Sequence, residues 1–289
     1  IREQPNKEPP VNARVEIDAA NATLARRCGA PARQYCEFEH LDDFADRSGV
    51  IGKLSVVRCR HCGVGLSMPR IPDVSALYAD RSSQDFQPGT GGLARAIKRI
   101  AFTRQARGML ARIPATPKRV IDFGCGSGLF TRCLGDCLPG AEVIGLDFHD
   151  APPAELADRP YRSMRDLDAL AGSADLVLAM HVLEHDDDDA ALLARIMRLA
   201  KPGGRVIIEV PNIDCAWTKA FGRHWDAWYM PYHRTHYSAM SLNALIETGG
   251  WRVEREVGAV VPTMGRTIAN ILGRPNGLFF ILLGAALHP

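Results

Sequence analysis

The chain has 289 residues, 46% of them hydrophobic, and a formal net charge of only +2 at neutral pH. This length accommodates one or two domains, and the near-neutral charge argues against a dedicated nucleic-acid-binding protein, which usually has a strongly basic domain. The chain has eight cysteines, and its first residues are polar and proline-bearing, unlike a secretory leader. We therefore expect reduced thiols and a cytoplasmic protein.

Residues 1–88 form the first predicted domain, an irregular region that bears four cysteines and ends in the turn-rich segment RSSQDFQPGTGG. A basic amphipathic helix is predicted next, over Leu93–Ile113. Its expected packing stripe consists of Leu93, Ile97, Ile100, Ala101 and Ile113.

After Lys118, short β-branched runs alternate with helical patterns. The predicted strands are Arg119–Phe123, Glu142–Asp147, Ala174–Met180 and Arg205–Val210, and the helices between them include Ser127–Leu138 and Asp187–Ala200. This alternation predicts an α/β fold with a doubly wound, mostly parallel sheet. Such sheets bind ligands at the carboxyl ends of their strands.

The turn after the first of these strands contains three glycines, Gly124, Gly126 and Gly128. Missing Cβ atoms let backbone N–H groups and a helix N-terminus approach a ligand closely. Asp147 ends the next strand, where a carboxylate can accept hydrogen bonds from both hydroxyls of a ribose. These positions predict an adenosine-containing cofactor. The G-x-G-x-G spacing fits neither a dinucleotide fingerprint nor a phosphate-binding loop.

Asp122 followed by these glycines resembles the first motif of class I S-adenosylmethionine-dependent methyltransferases. GLDFH, ADLVLAMHVLEH and LAKPGGRVIIEVPN resemble later segments of that family in the same order. The resemblance implies a seven-stranded Rossmann-like domain over residues 89–262. It implies S-adenosylmethionine as cofactor, with Asp122, the three glycines and Asp147 at its site and Phe148 beside the adenine.

Three histidines are candidate bases for removing a proton from the methyl acceptor. His181 directly follows the fourth strand, although it could instead pack against the cofactor. His233 and His236 lie in HWDAWYMPYHRTHYS, which is similar to a P-x-H-x-x-H-[FY]-S element of family members in glycan and natural-product biosynthesis. Its many polar aromatic residues suit a sugar-like or ring substrate, and an ordinary aromatic lid is the alternative. We interpret the acidic run Asp186–Asp189 as a solvated helix cap without chemistry.

Cys59 and Cys62 form a C-x-x-C-G knuckle typical of zinc sites, and Cys28 and Cys36 are the expected partner ligands. Relatives with an N-terminal zinc module, such as sugar C-methyltransferases, carry this motif twice. Here Ala25 stands where the first cysteine of the other pair would be. Structural zinc and buried reduced cysteines therefore both remain open.

Residues 263–289 form a C-terminal tail whose apolar stretch, 278–287, is too short to span a bilayer. A buried helix, an oligomer contact and peripheral membrane contact are all open for it.

The predicted activity is methylation of a small molecule or glycan, with O-methylation of a sugar or lipid-linked saccharide as the leading expectation. One alternative is C-methylation of a nucleotide sugar. Another is a catalytically silent partner protein that only binds the cofactor.

Overall fold

A computed structural model describes residues 38–46, 48–71, 77–78, 92–259, 263–274, 279–280 and 283. The chain divides into two compact units, each of which is discontinuous in sequence. We call Tyr78–Leu183 with Asp188–Val210 the parallel-sheet unit. We call Ile1–Leu77, Glu184–Asp187 and Pro211–Pro289 together the antiparallel-sheet unit.

The helices and strands have the following bounds in chain order. The strands are β1 Phe38–Ala45, β2 Lys53–Cys59, β3 Gly65–Met68, β4 Arg119–Phe123, β5 Glu142–Asp147, β6 Tyr161–Ser163, β7 Ala174–Met180, β8 Ala200–Glu209 and β9 Thr235–His236. The α-helices are α1 Gly92–Leu110, α2 Leu129–Cys137, α3 Asp189–Met197, α4 Ala216–Phe221, α5 Ala239–Thr248 and α6 Met264–Ile271.

The parallel-sheet unit has the strand order β6-β5-β4-β7-β8, with all neighbours parallel. This confirms the predicted α/β class, and β4, β5 and β7 have the predicted bounds. The described residues form five parallel strands rather than the seven that the resemblance implied. β8 begins at Ala200, earlier than predicted, because Ala174 and Ala200 already pair across the β7–β8 ladder.

Helix α1 packs on this unit through its C-terminal half. Ala106 is buried there, and Met109 and Leu110 pack against the same apolar cluster. The predicted stripe was therefore wrong at Ile97 and Ile100, which are exposed, whereas Ile113 packs against this cluster as expected. The basic face of the helix forms ion pairs within the unit, among them Arg95 with Glu155 at 2.8 Å and Arg99 with Asp136 at 3.0 Å.

The antiparallel-sheet unit is built on the strand order β1-β2-β3-β9. β9 comes from the aromatic segment and pairs with β3, which joins residues far apart in sequence. The core of this unit contains Leu54, Val56, Trp225, Trp228 and Met230. This pairing explains why residues after Pro211 group with the N-terminal region, whereas the sequence placed 211–262 with the methyltransferase domain. The domain boundaries themselves stay a prediction.

The beginning of the predicted tail is helix α6, which packs within the antiparallel-sheet unit. Thr267 is buried and accepts a hydrogen bond from the Asp226 backbone N–H at 3.2 Å. Arg266 forms an ion pair with the Asp226 carboxylate at 2.7 Å. Most of the apolar stretch 278–287 lies outside the described residues. No helix in the described part of the chain is both long enough and apolar enough to cross a membrane.

Candidate active site at the carboxyl edge of the parallel sheet

The glycine turn connects β4 to α2, and all three of its glycines have positive φ. A Cβ added to Gly124 would lie 2.5 Å from Val182 Cγ2, and one added to Gly128 would lie 2.5 Å from Leu156 Cγ. A Cβ on Gly126 would meet nothing within 4 Å. Two of the glycines therefore make room for side chains of the same unit. Gly126 borders open space, where a ligand can approach the backbone.

Asp122 lies beneath this turn and is buried. Its carboxylate accepts a hydrogen bond of 2.6 Å from the Thr131 hydroxyl, which ties β4 to α2. Burial raises the pKa of Asp122 to about 7; the Thr131 hydrogen bond opposes this rise and the charge of Asp147 adds to it. The structure therefore places Asp122 as a support for the turn.

Asp147 ends β5 and is also buried, and burial raises its pKa. One carboxylate oxygen accepts from the Gly126 N–H and the other from the Phe148 N–H, each at 2.8 Å. A carboxylate has about four acceptor positions, so each oxygen keeps capacity for another donor. This arrangement fits the two hydroxyls of a ribose.

Phe148 follows Asp147 with a 62% exposed side chain. Its ring lies 4.7 Å from the ring of His149, tilted by 42°. Its position next to Asp147 fits the predicted contact with an adenine.

His181 directly follows β7 in a left-handed conformation, with φ 56°. Such values are uncommon outside glycine and concentrate at functional sites. Its backbone N–H donates to the Glu209 carbonyl at 2.8 Å. Its Nε2 lies 3.3 Å from Glu209 Oε1, and its side chain is 39% exposed. The two side chains form an imidazole–carboxylate pair at the carboxyl edge of the sheet.

The sequence reasoning missed Glu209, which ends β8. The parallel register pairs Met180 with Glu209, so the residue after β7 lies beside the last residue of β8. Gln105 Nε2 donates a longer hydrogen bond of 3.4 Å to the other oxygen of Glu209. An acidic residue at the end of the strand next to His181 was the signal that could have identified the pair.

Comparison with known proteins matches residues 88–256 to the methyltransferase domain family. The chain belongs to this family. Over 119 residues it is 40% identical to trans-aconitate 2-methyltransferase of Methylobacterium radiotolerans, covering 38% of this chain and 45% of the relative. Over 113 residues it is 33% identical to a ubiquinone biosynthesis O-methyltransferase of Xanthomonas oryzae, covering 35% and 46%. The chain thus spans about half the length of these curated relatives.

Among solved structures, the chain is similar to human N-acetylserotonin methyltransferase in complex with S-adenosylmethionine. The two are 16% identical with a TM-score of 0.45, over 63% of this chain and 54% of that one.

The other two histidine candidates lie in the antiparallel-sheet unit. His236 on β9 is buried, with its Nε2 2.9 Å from the Ser67 hydroxyl. Burial, followed by the nearby positive charges of Arg234 and Arg70, lowers the pKa of His236 to about 3. His233 is also buried, and its Nδ1 lies 2.9 Å from the Ala227 carbonyl oxygen.

Two residues of the acidic run Asp186–Asp189 have different roles. Asp188 caps α3 by accepting from the Ala191 N–H at 3.1 Å, as predicted. Asp187 differs from the prediction of a solvated cap. Its carboxylate pairs with Arg70 at 2.9 Å and with the buried Arg234 at 3.2 Å, both within the antiparallel-sheet unit.

Of the predicted zinc ligands, Cys59 and Cys62 are buried. The Cys62 N–H donates to Cys59 Sγ at 3.4 Å, and the Gly63 N–H donates to the Cys59 carbonyl at 2.9 Å. These hydrogen bonds form a tight turn between the two cysteines, which is the backbone feature that a zinc knuckle requires. Cys28 and Cys36 lie outside the described residues, so a zinc site at these cysteines stays a prediction.

Proposed function

We propose that the chain is an S-adenosylmethionine-dependent methyltransferase that methylates an oxygen atom of a small molecule. The observation that carries this proposal is the His181–Glu209 pair, with 3.3 Å between Nε2 and Oε1. It lies at the carboxyl edge of the sheet that also bears the glycine turn and Asp147. Methyl transfer needs a base only when the acceptor must lose a proton, as a hydroxyl does.

The cofactor supplies an electrophilic sulfonium methyl group, so the chain must hold it, orient the acceptor and remove the acceptor's proton. The open space beside the Gly126 backbone would accommodate the cofactor. The Asp147 carboxylate would accept hydrogen bonds from its ribose, and the Phe148 ring would contact its adenine. His181 Nε2 lies 3.3 Å from Glu209 Oε1, so in the tautomer with its proton on Nε2 the lone pair is on Nδ1. Nδ1 then accepts the hydroxyl proton, and Glu209 stabilises the imidazolium that forms.

The acceptor is proposed only at the level of a small oxygen nucleophile. The two relatives described above carry names with different acceptors, although each matches a similar length of this chain. Their similarity therefore supports the shared methyl-transfer chemistry more than a particular acceptor.

A sugar or lipid-linked saccharide as acceptor, and C-methylation of a nucleotide sugar, remain predictions. C-methylation of a nucleotide sugar depended on the resemblance of the cysteine motif to a zinc module. The sugar acceptor depended on the aromatic segment, and Trp225, Trp228, Tyr232 and Tyr237 of that segment are buried in the structure. Burial of these rings supports a role in packing, so acceptor screening should include organic acids and phenols beside sugars.

Isothermal titration with S-adenosylmethionine and, separately, NAD tests the cofactor. We expect binding of S-adenosylmethionine alone, weakened at least about tenfold by Asp147→Ala, since a hydrogen bond to a charged group is worth about 1.5–3 kcal/mol. Asp150→Ala, on an exposed neighbouring residue, is the matched control. NAD binding, or an Asp147→Ala variant that stays folded with unchanged affinity, would contradict the proposal.

Turnover separates the enzyme from a silent cofactor-binding partner. Acceptor-dependent formation of S-adenosylhomocysteine is expected with the unchanged chain. His181→Asn should abolish most of it while retaining cofactor binding, because asparagine tolerates the left-handed backbone but supplies no base. Full activity of His181→Asn would exclude the histidine as the base.

A further inference from the structure

A second cluster of chemically active side chains lies in the antiparallel-sheet unit and has no part in the proposed methyl transfer. Glu184, His185 and His233 each offer a ligand atom, and these atoms lie within 4.8 Å of one another. No other group of three such residues occurs among the residues that the structure describes. Glu184 is 1% exposed and His233 is 7% exposed, so two of the three sit in the interior.

Both imidazoles are oriented by backbone carbonyls. His233 Nδ1 lies 2.9 Å from the Ala227 carbonyl oxygen, and His185 Nδ1 lies 3.1 Å from that of Tyr232. A carbonyl only accepts, so each Nδ1 carries the proton and each Nε2 carries the lone pair. Histidines that bind metal ions almost always have their other nitrogen fixed in this manner.

The spacing also suits a metal ion. His233 Nε2 and Glu184 Oε1 are 3.8 Å apart. Two ligand atoms on a tetrahedral zinc ion, with bonds of about 2.1 Å, are separated by roughly 3.4 Å. A shift of a few tenths of an ångström would therefore bring these two atoms to the separation expected for two ligands of one zinc ion.

We propose that Glu184, His185 and His233 form a site for a divalent transition-metal ion. Two imidazoles and one carboxylate favour zinc and its first-row neighbours over magnesium or calcium, which prefer oxygen ligands only. Three protein ligands leave a coordination position open, as in catalytic zinc sites. His185 is only half-buried, so the ion can enter on its side.

A cluster of this kind can also exist as a carboxylate–imidazolium ion pair without a metal. Titration with metal ions distinguishes the two cases, because only a metal site binds Zn²⁺. The full chain is first stripped with a chelator and then titrated with Zn²⁺ by calorimetry. In parallel, Co²⁺ is added and its visible absorption recorded. We expect Zn²⁺ binding at one such site, a Co²⁺ spectrum of a low-symmetry nitrogen and oxygen site, and no comparable binding of Mg²⁺.

The variants remove ligand atoms while keeping the surrounding hydrogen bonds. His233→Asn retains a donor for the Ala227 carbonyl and loses Nε2, and Glu184→Gln keeps the shape of the carboxylate. Each should weaken Zn²⁺ binding more than about 100-fold, since even outer-shell changes cost 10–100-fold. His224→Asn, on an exposed histidine of the same segment, is the matched control and should bind Zn²⁺ as before.

Zinc at the cysteines must be distinguished from zinc at this cluster. Co²⁺ bound to thiolates gives strong near-ultraviolet charge-transfer bands, whereas the proposed site gives none. Zn²⁺ affinity unchanged in both Glu184→Gln and His233→Asn, or no Zn²⁺ binding by the intact chain, would overturn the proposal. S-adenosylmethionine binding, measured on the same samples, reports separately on the methyltransferase proposal.

Discussion

Gly126→Ala is expected to weaken cofactor binding while leaving the chain folded. The added Cβ would meet no protein atom within 4 Å, so packing is unaffected. The backbone, at φ +52°, costs an alanine about 1–2 kcal/mol in the left-handed region. For a unit of this size, such a loss lowers the melting temperature by only a few degrees. The methyl group, however, would occupy the open space beside the turn.

Gly128→Ala in the same turn is the matched comparison. Its Cβ would lie 2.5 Å from Leu156 Cγ and 3.1 Å from Pro153 Cγ, in addition to a φ of +76°. Overpacking typically costs 1–3 kcal/mol, so the total reaches about 2–5 kcal/mol, a large part of an ordinary folding free energy. This variant should lose stability first, and binding only as a consequence.

Thermal unfolding by circular dichroism and calorimetric titration with S-adenosylmethionine, both on the two variants and the unchanged chain, distinguish these effects. The expected pattern is a folded Gly126→Ala variant with at least about tenfold weaker binding, equivalent to 1.4 kcal/mol. Unchanged affinity in that variant would refute the assignment of the ligand to the space beside Gly126. Equal destabilisation of both variants would refute the packing argument.

Three further predictions concern the same unit. Phe148→Ala should weaken S-adenosylmethionine binding several-fold in calorimetry with little change in melting temperature, because the ring is mostly exposed. Glu209→Gln should lower kcat by about 10²–10⁴-fold with an unchanged KM for the cofactor, because His181 loses the carboxylate that stabilises its charged form; a changed KM alone would contradict this role. Asp122 binds its proton more tightly in the folded state, with a pKa raised from 3.8 to about 7. Stability of the cofactor-free chain should therefore fall by up to about 4 kcal/mol as pH rises from 4 to 7. Asp122→Asn should remove most of that slope in denaturant titrations.

The strands of the parallel sheet could be predicted because they are local patterns. β4, β5 and β7 are continuous β-branched runs that are buried on both faces, as parallel strands require. The start of β8 could not be predicted in the same way. Lys201–Gly204 has the composition of a turn, and the β7–β8 register passes over it, from the Ala174–Ala200 pair directly to the Leu176–Arg205 pair.

The antiparallel-sheet unit depends on contacts that leave no local pattern. β9 has two residues, and its partner β3 lies about 170 positions earlier in the chain. No periodicity in the aromatic segment indicates that pairing. The segment was therefore interpreted from its composition as a substrate surface, whereas its tryptophans pack in a core.

At the glycine turn, the sequence identified the residues but could not assign their roles. Gly124, Gly126 and Gly128 look equivalent in the motif. Their difference comes from Val182 and Leu156, which approach two of them from elsewhere in the unit. Only the three-dimensional neighbours decide which glycines make room for side chains and which one borders open space.

Burial also separates the histidines that the sequence proposed as bases. Because the pKa of His236 is about 3, its imidazole carries no charge near neutral pH. An imidazole with so low a pKa is a poor general base for removing a proton from a hydroxyl. His181 is partly exposed and has a carboxylate at 3.3 Å to stabilise its charged form. A base must both reach its acceptor and hold the proton it takes. Among these histidines, His181 is therefore the one that we propose as the base, and it lies in the unit that bears the glycine turn.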